Sequence, residues 1–236
     1  MIFANLDCFS ERDLLMARKP NRKATDLGVS KKEARVSSGQ SKAGEIRIIG
    51  GDWRGRKLPV LSAEGLRPTS DRVRETLFNW LQFEIAGANC LDVFSGSGAL
   101  GLEALSRGAK SATFLELSLP VVKQLRSNLE TLKVSNAQVN QGDSLQWLAQ
   151  PARASFNVIF VDPPFNQGLM QQAVDKLFVS GYLSPTSPET SNWLYLEQEK
   201  NLDWPILPEG WVCFREKSTS QVRFGLFKWS GSNDAH

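Results

Sequence analysis

Two short segments of this sequence combine residue types and spacings that are suited to chemistry. The first is DVFSGSGALGLEAL (92–105), in which Gly96, Gly98 and Gly101 follow the spacing G-x-G-x-x-G. Between an apolar run and a helical pattern, this spacing is typical of a loop that binds a nucleotide at a helix N-terminus. Glu116 ends the next apolar run, where the same fingerprint places an acid. The glycines alone predict only a nucleotide-like ligand.

Three carboxylates bear on the charge of that ligand. Asp92, Glu116 and Asp143 each fall at or just after the end of a predicted strand. Such acids would repel a diphosphate, but they suit S-adenosylmethionine, which carries a sulfonium, an ammonium and ribose hydroxyls. In this interpretation Glu116 accepts from the ribose hydroxyls and Asp143 from the adenine amino group, although Asp92 or Asp143 could instead cap the following helix. The predicted cofactor contacts are Asp92, Phe94, Gly96, Gly98, Glu116, Leu117, Asp143 and Ser144.

The second segment is FNVIFVDPPFNQGL (156–169), a buried strand that runs into Asp162, Pro163, Pro164 and Phe165. Proline has no N–H group, so the segment presents carbonyls and a carboxylate to a substrate that donates hydrogen bonds. An exocyclic amine of a nucleobase is such a donor, and Phe165 could stack on its ring. We predict these four residues as the catalytic segment, with a plain Pro-Pro turn as the alternative.

Basic residues form a third group. Residues 1–80 hold 16 of the 28 Lys and Arg residues and 10 of the 25 Asp and Glu residues. This excess of positive charge suggests a polyanionic partner, and solvated surface charge is the alternative. Those predicted to contact RNA phosphates are Arg54, Arg56, Lys57, Arg67, Arg72 and Arg74.

Alternating elements must position these residues. Apolar strands are predicted at 90–94, 112–117, 136–140 and 156–161, and helices at 99–107, 119–132, 143–149 and 167–179. This alternation predicts an α/β fold with a doubly wound, mostly parallel sheet. Three further strands are predicted at 193–199, 211–217 and 221–229. The link between the last two is short, so they are predicted to form an antiparallel hairpin.

Further segments precede the sheet. Residues 46–60 predict a β-hairpin with its turn at Gly50-Gly51-Asp52, and a helix follows, capped by Thr69 or Ser70, with Arg72 and Arg74 off its apolar stripe. We divide the chain into a basic, disordered extension (1–44), an RNA-contacting hairpin and helix (45–84), a catalytic domain (85–230) and a disordered tail (231–236).

Composition excludes several classes of site. The three cysteines are scattered and the sole histidine is the terminal His236, which argues against a metal centre, a disulfide framework and Ser-His chemistry. No apolar run reaches the length of a membrane span. We therefore expect a cytoplasmic protein without metal or membrane partner, and we take it to be a monomer, although nothing in the composition bears on its oligomeric state.

The combined motifs resemble the RsmD family of 16S rRNA guanine-N2 methyltransferases. The resemblance is carried by the glycine loop, DPPF, the hairpin IRIIGG-WRGRKLPV and the helix LRPTSDRVRETLFNWL, and it covers about Glu45 to Lys228. It implies a class I (Rossmann-like) S-adenosylmethionine-dependent enzyme that methylates one guanine of 16S rRNA within small-subunit assembly intermediates. It assigns Asp92, Gly96, Gly98, Glu116 and Asp143 to the cofactor, and 162–165 to the target base. Ser118, where many relatives carry a second acid, and the long N-terminus depart from the family.

Three alternatives stay open at this point. Adenine-N6 methylation of a nucleic acid shares DPPF, although residues 45–84 leave little room for a target-recognition domain. An NAD(P)-dependent oxidoreductase would explain the glycine spacing but lacks a credible proton donor, since Tyr182 and Tyr195 are the two tyrosines. A non-catalytic RNA-binding module would explain the basic residues without using DPPF.

Overall fold

A computed structural model of the protein describes residues 43–61, 70–183 and 192–230. The strands in these ranges are β1 (Ala43–Arg47), β2 (Lys57–Leu61), β3 (Asn89–Asp92), β4 (Ser111–Glu116), β5 (Ala137–Gln141), β6 (Val158–Val161), β7 (Trp193–Glu199), β8 (Trp211–Ser218) and β9 (Val222–Trp229). The helices are α1 (Asp71–Trp80), α2 (Ala99–Ser106), α3 (Leu119–Thr131), α4 (Ser144–Leu148) and α5 (Leu169–Val179). In the α/β region, each boundary lies within two residues of its predicted position.

The larger sheet has the strand order β5-β4-β3-β6-β7-β9-β8. Strands β3 to β7 are parallel, whereas β9 pairs antiparallel with both β7 and β8. Helices α2 to α5 connect the parallel strands, which is the doubly wound arrangement that the alternating sequence pattern predicts. The fold class and the antiparallel C-terminal hairpin are therefore confirmed.

The chain changes direction across the sheet between β3 and β6. It runs outward from β3 through β4 to β5, and then returns to place β6 on the other side of β3. In open α/β sheets, ligands bind at the carboxyl ends of the strands at such a reversal. Asp92 ends β3 and Asp162 directly follows β6, so both predicted motifs meet at this point.

Helices cover both faces of the sheet. On one face α1, α2 and α3 pack on strand residues that include Phe114, Phe160 and Tyr195. On the other face α5 and α4 pack on residues that include Ile159, Val161 and Leu194. The central strands read as nearly continuous apolar runs because both of their faces are buried.

The N-terminal hairpin differs from its prediction in the length of its connection. Strands β1 and β2 pair antiparallel with Arg47 opposite Lys57, so the connection spans residues 48–56 rather than a tight turn at 50–52. Ser70 caps α1 by accepting from the backbone N–H of Val73 at 3.3 Å, whereas the other cap candidate, Thr69, lies outside the described residues. The side-chain amide of Asn128 in α3 donates to the carbonyl of Pro59, which fastens β2 to α3.

The predicted extension (1–44) and tail (231–236) lie almost wholly outside the described residues, so the division of the chain into these ranges stays a prediction. Within 43–61, 70–183 and 192–230, no helix combines the length and the apolar character needed to cross a membrane. In the same ranges, no group of three or more His, Cys, Asp or Glu side chains is placed to hold a metal ion.

Candidate active site

The glycine loop joins β3 to the N-terminus of α2. Gly96 and Gly98 have φ angles of 48° and 77°, a left-handed region in which glycine is favoured. Gly98 is the N-cap of α2 and contributes no capping side chain. Gly101 lies against the sheet, and a Cβ atom there would come within 2.2 Å of the Phe114 ring. The loop therefore needs glycine both for its backbone turn and for the close approach of α2 to β4.

Carboxylates hold this loop in place. Asp92 is buried, and its Oδ2 accepts from the backbone N–H of Gly101 at 3.1 Å. Glu116 accepts from the N–H of Gly96 through Oε2 at 2.9 Å, and from the N–H of Ser118 through Oε1 at 2.7 Å. The fingerprint acid is thus anchored to the first glycine of the loop.

The β5–α4 connection supplies the third predicted acid. Asp143 is exposed and accepts from the N–H of Gln146 at 2.8 Å, so it does cap α4, as its alternative interpretation holds. It also lines the cavity described below. The neighbouring Ser144 is buried and donates its hydroxyl to the carbonyl of Val93 at 2.6 Å, which ties this connection to the end of β3.

The DPPF segment leaves the carboxyl end of β6. Pro163 is buried, whereas Asp162, Pro164 and Phe165 are half-buried. The next residue, Asn166, has a φ of 60° and donates its backbone N–H to Oε1 of Glu199 at 2.6 Å. A strand-end acid in β7 therefore holds the turn that carries the predicted catalytic residues.

Three acids share one face of the sheet at this edge. Alternate residues of a strand point to the same face. Asp92 pairs with Phe114 on one side and with Phe160 on the other. Glu116 and Asp162, each two residues further along, therefore fall on the same face as Asp92.

A fourth acid, Glu197, extends this row on β7. Val161 pairs with Leu196, so Glu197 is the neighbour of Asp162 across the two strands. Glu197 is buried, and its Oε2 accepts from the Tyr195 hydroxyl at 2.7 Å. In sheet order the carboxylate row is Glu116, Asp92, Asp162 and Glu197.

Burial and mutual repulsion make the centre of this row hard to ionise. Burial raises the pKa of Asp92 to about 7, the hydrogen bond from Gly101 opposes the rise, and the charges of Asp162 and Glu116 add to it. A cation would relieve the repulsion, since opposite charges nearby favour the ionised form. The charge of the row therefore favours a positively charged ligand over an anionic one.

A cavity of about 770 Å³ unites these features. Its volume lies in the usual range for small-molecule sites. Every predicted cofactor and catalytic residue lines it except Gly98, which is the N-cap of α2 and approaches the Leu125 side chain of α3. Sequence reasoning missed further lining residues, among them Gly44, Glu45, Val60, Leu61, Ser70, Gln167, Glu197 and 219–222. Glu197 could have been found as the acid that interrupts the apolar run of WLYLEQE.

A buried acid that the sequence analysis also missed fastens the basic hairpin to α2. Glu103 accepts from the backbone N–H groups of Ile49 and Gly50, each at 2.8 Å, and from Nε of Arg107 at 2.7 Å. One turn further on, the Ser106 hydroxyl donates to the carbonyl of Gly50 at 2.6 Å. The helix that begins at the glycine loop therefore also positions the connection 48–56.

The residues predicted to contact RNA fall into three groups: exposed residues, a residue outside the described ranges, and a buried residue. Arg54, Arg56, Lys57 and Arg72 are exposed, and Lys57 pairs with Glu45 at 3.2 Å. Arg67 lies outside the described residues.

The prediction that Arg74 contacts an RNA phosphate is wrong, because its side chain is only 1% exposed. Its Nη2 donates to Oδ1 of Asp71 at 2.6 Å and to the carbonyl of Arg47 at 2.9 Å, and its Nη1 lies 3.8 Å from Oε2 of Glu103. Its position on α1 next to the apolar stripe turns it inward, where the acid of α2 compensates its charge.

Comparison with known proteins places the chain in a family. “Ribosomal RNA small subunit methyltransferase D” of Escherichia coli (strain K12) is 48% identical over 197 residues, which cover 83% of this chain and 96% of that protein. The protein of the same name from Haemophilus influenzae is 51% identical over 190 residues, 78% of this chain and 94% of that protein. A family described as “Conserved hypothetical protein 95” matches residues 46–228. The chain belongs to this family of methyltransferase D proteins.

Solved structures agree with this assignment. The structure titled “Putative methyltransferase yhhF from Escherichia coli” is 46% identical, covers 79% of this chain and 99% of that one, and superimposes with a TM-score of 0.72. The resemblance to the methyltransferase D family inferred from the motifs is therefore confirmed, and so is the Rossmann-like methyltransferase fold. The roles of individual site residues stay predictions.

Proposed function

We propose that this protein transfers a methyl group from S-adenosylmethionine to the exocyclic N2 of one guanine in 16S rRNA. Membership of the methyltransferase D family supports methylation of small-subunit rRNA. The observation that carries the finer proposal is the common cavity, in which DPPF follows β6 beside the glycine loop and the carboxylate row. One wall suits a cationic nucleoside and the other an amine that donates hydrogen bonds.

The residues of the site fit S-adenosylmethionine. Its positive charge matches the end of the carboxylate row formed by Asp92 and Glu116, while Asp162 and Glu197 face the acceptor base, and the cavity has room for a nucleoside beside a base. Glu116, already oriented by Gly96 and Ser118, would accept from the ribose hydroxyls, and Asp143 from the adenine amino group. When bound, S-adenosylmethionine supplies an electrophilic methyl group on a good leaving group, so the protein mainly has to align the acceptor.

The DPPF segment performs that alignment. The carboxylate of Asp162 and the carbonyl of Pro163 accept from the N–H groups of the guanine amine and hold its nitrogen toward the cavity. Phe165 stacks on the base, a contact worth about 1–3 kcal/mol in single-stranded recognition. The amine becomes strongly acidic once it is alkylated, so even a weak base such as Asp162 can take up its proton.

The target base must leave its stack to reach the strand ends. Arg54, Arg56, Lys57 and Arg72 supply exposed positive charge for backbone contacts that set the register of the RNA. We extend the proposal to a monomeric enzyme that acts on 16S rRNA within small-subunit assembly intermediates.

The decisive experiment uses small ribosomal subunits from cells that lack this gene. Purified protein and labelled S-adenosylmethionine are added, and the modified base is mapped by mass spectrometry. We expect one N2-methylguanine in 16S rRNA with the wild type and with Asp175→Ala, an exposed control on α5, and none with Asp162→Ala. Label on an adenine or on DNA would support adenine-N6 methylation instead, and absence of label despite cofactor binding would support a non-catalytic RNA-binding module.

Binding measurements address the remaining alternative. An NAD(P) diphosphate in this cavity would face the carboxylate row, which is electrostatically unfavourable. Calorimetry should therefore detect S-adenosylmethionine binding and no NAD binding, and the opposite result would contradict the proposal.

A further inference from the structure

We infer that Glu197 determines the specificity of this site for guanine by accepting a hydrogen bond from the N1–H group of the target base. This inference rests on the proposed guanine-N2 activity. It concerns a residue that lies outside both sequence motifs, on the strand next to DPPF.

Glu197 is placed beside the acceptor amine. It neighbours Asp162 across β6 and β7, on the same face of the sheet, and both carboxylates line the cavity. Adjacent strands are about 4.8 Å apart, a spacing that lets two side chains contact neighbouring groups on one base edge. The guanine amine is flanked by N1–H on one side and by N3 on the other, and in the proposed pose the amine lies at Asp162 with the N1–H side toward Glu197.

The orientation of this carboxylate is fixed before any base enters. The hydroxyl of Tyr195 donates to Oε2 of Glu197 at 2.7 Å, and both residues are buried. A carboxylate has about four acceptor positions, so it can accept from Tyr195 and still accept from a ligand. Burial, together with the negative charges of Glu197 and Asp162, raises the pKa of Tyr195 well above its usual value, which keeps its hydroxyl a donor.

The chemistry of the bases explains why this position selects guanine. In guanine the ring nitrogen N1 next to the amine carries a hydrogen and donates. In adenine and cytosine the corresponding neighbours, N1 and N3, carry lone pairs and accept. A buried carboxylate can accept a hydrogen bond from the N1–H of guanine. It repels the lone pair of adenine N1 or cytosine N3, because a carboxylate cannot donate a hydrogen bond.

A modified substrate tests this directly. The methylated guanine is first mapped with the wild type, and small subunits are then assembled with 2-aminopurine at that position. This base keeps the amine on C2 but has a lone pair on N1. Because sites that bind through hydrogen bonds discriminate strongly against a mismatched partner, we expect wild type to favour guanine by about a hundredfold or more in kcat/KM.

Glu197→Gln should reduce this preference by about tenfold or more, since the amide can donate to N1 of 2-aminopurine and mimics the carboxylate poorly toward guanine. Glu130→Gln, the same change at an exposed site on α3, should leave the preference unchanged. Calorimetry with S-adenosylmethionine and thermal melting verify that the variants are folded.

A second variant covers the case in which Glu197→Gln does not fold. Tyr195→Phe removes the hydrogen bond that orients the carboxylate and should lower the guanine preference by a smaller factor. An equal loss of kcat/KM on both substrates, with the preference intact, would overturn the inference and leave guanine-N2 methylation standing. Failure of the wild type to methylate any 16S guanine would overturn the proposed function itself.

Discussion

The backbone N–H of Gly96 donates to Oε2 of Glu116 at 2.9 Å, which joins the first glycine of the loop to the acid at the end of the next strand. The two residues are twenty positions apart in the sequence. The same carboxylate also accepts from Ser118, at the start of α3. One side chain thereby fixes the spacing between two connections that line the cavity, so that the site is formed before a ligand arrives.

Glu116→Gln should therefore weaken S-adenosylmethionine binding. Its amide can accept from one of the two N–H groups but presents a donor to the other, which leaves a polar group unsatisfied at a cost of about 1–3 kcal/mol. We expect the dissociation constant to rise by about tenfold or more. Isothermal titration calorimetry measures it, with Glu130→Gln as the exposed control. Unchanged affinity would show that Glu116 does not shape the site.

Gly101→Ala should destabilise the protein, because the new Cβ would lie 2.2 Å from the Phe114 ring. Overpacking of this kind costs about 1–3 kcal/mol in the free energy of unfolding, measurable by urea denaturation. Phe114→Leu in the same chain makes room for the methyl group, so the double variant should lose less than the sum of the two single losses. Additive losses would contradict the proposed clash.

Arg74→Met and Arg72→Met form a matched pair on α1. Arg74 is buried against Asp71 and Glu103, so its loss leaves Glu103 without one of its cations and should cost about 3–5 kcal/mol of unfolding free energy. Arg72 is exposed, and its substitution should change stability by about 0.5 kcal/mol or less. Thermal melting of both variants compares them, and equal stability would refute the structural role of Arg74.

Because the pKa of Asp92 is raised, we expect cofactor binding to depend on pH. Its pKa is raised to about 7, mainly by burial. A cationic ligand prefers the ionised carboxylate, so affinity for S-adenosylmethionine should increase as pH rises from 6 to 8. Asp92→Asn should bind S-adenosylmethionine more weakly at every pH and should lose the part of the pH dependence that comes from Asp92. Calorimetry at several pH values measures both effects.

The same shift has a consequence of opposite sign for the unliganded protein. Between the usual carboxyl pKa of 3.8 and about 7, the native state retains a proton that the unfolded state has lost. The contribution of Asp92 to the free energy of unfolding therefore falls as pH rises through this window, and it is fully lost above the window. In Asp92→Asn, the unfolding free energy should fall less between pH 4 and pH 7 than in the wild type.

Arg54→Gln and Arg56→Gln should weaken binding to small ribosomal subunits without altering cofactor affinity. Each removes one exposed positive charge from the connection between β1 and β2. If each contacts a phosphate, the slope of log affinity against log salt should decrease by about 1 per substitution. Filter binding at several salt concentrations measures the slope, and an unchanged slope would indicate solvated surface charge.

Local patterns in the sequence determined the fold class of this protein and the position of its two main motifs. Alternation of apolar strands with amphipathic helices predicted the doubly wound sheet, since the period of the pattern follows directly from backbone geometry. The glycine spacing and the position of DPPF after a strand predicted that these two segments meet, because parallel strands bring their carboxyl ends to one edge. The family resemblance likewise depended on motifs that are contiguous in the chain.

Only the tertiary structure decided which charged residues face inward. Arg74 reads as a basic surface residue, and its burial depends on Glu103 in a different helix. Glu197 reads as the polar end of a strand, and its place beside Asp162 depends on the register between β6 and β7. Pairing across the sheet and packing between helices join residues that are distant in the sequence, so a pattern read along one segment does not contain them.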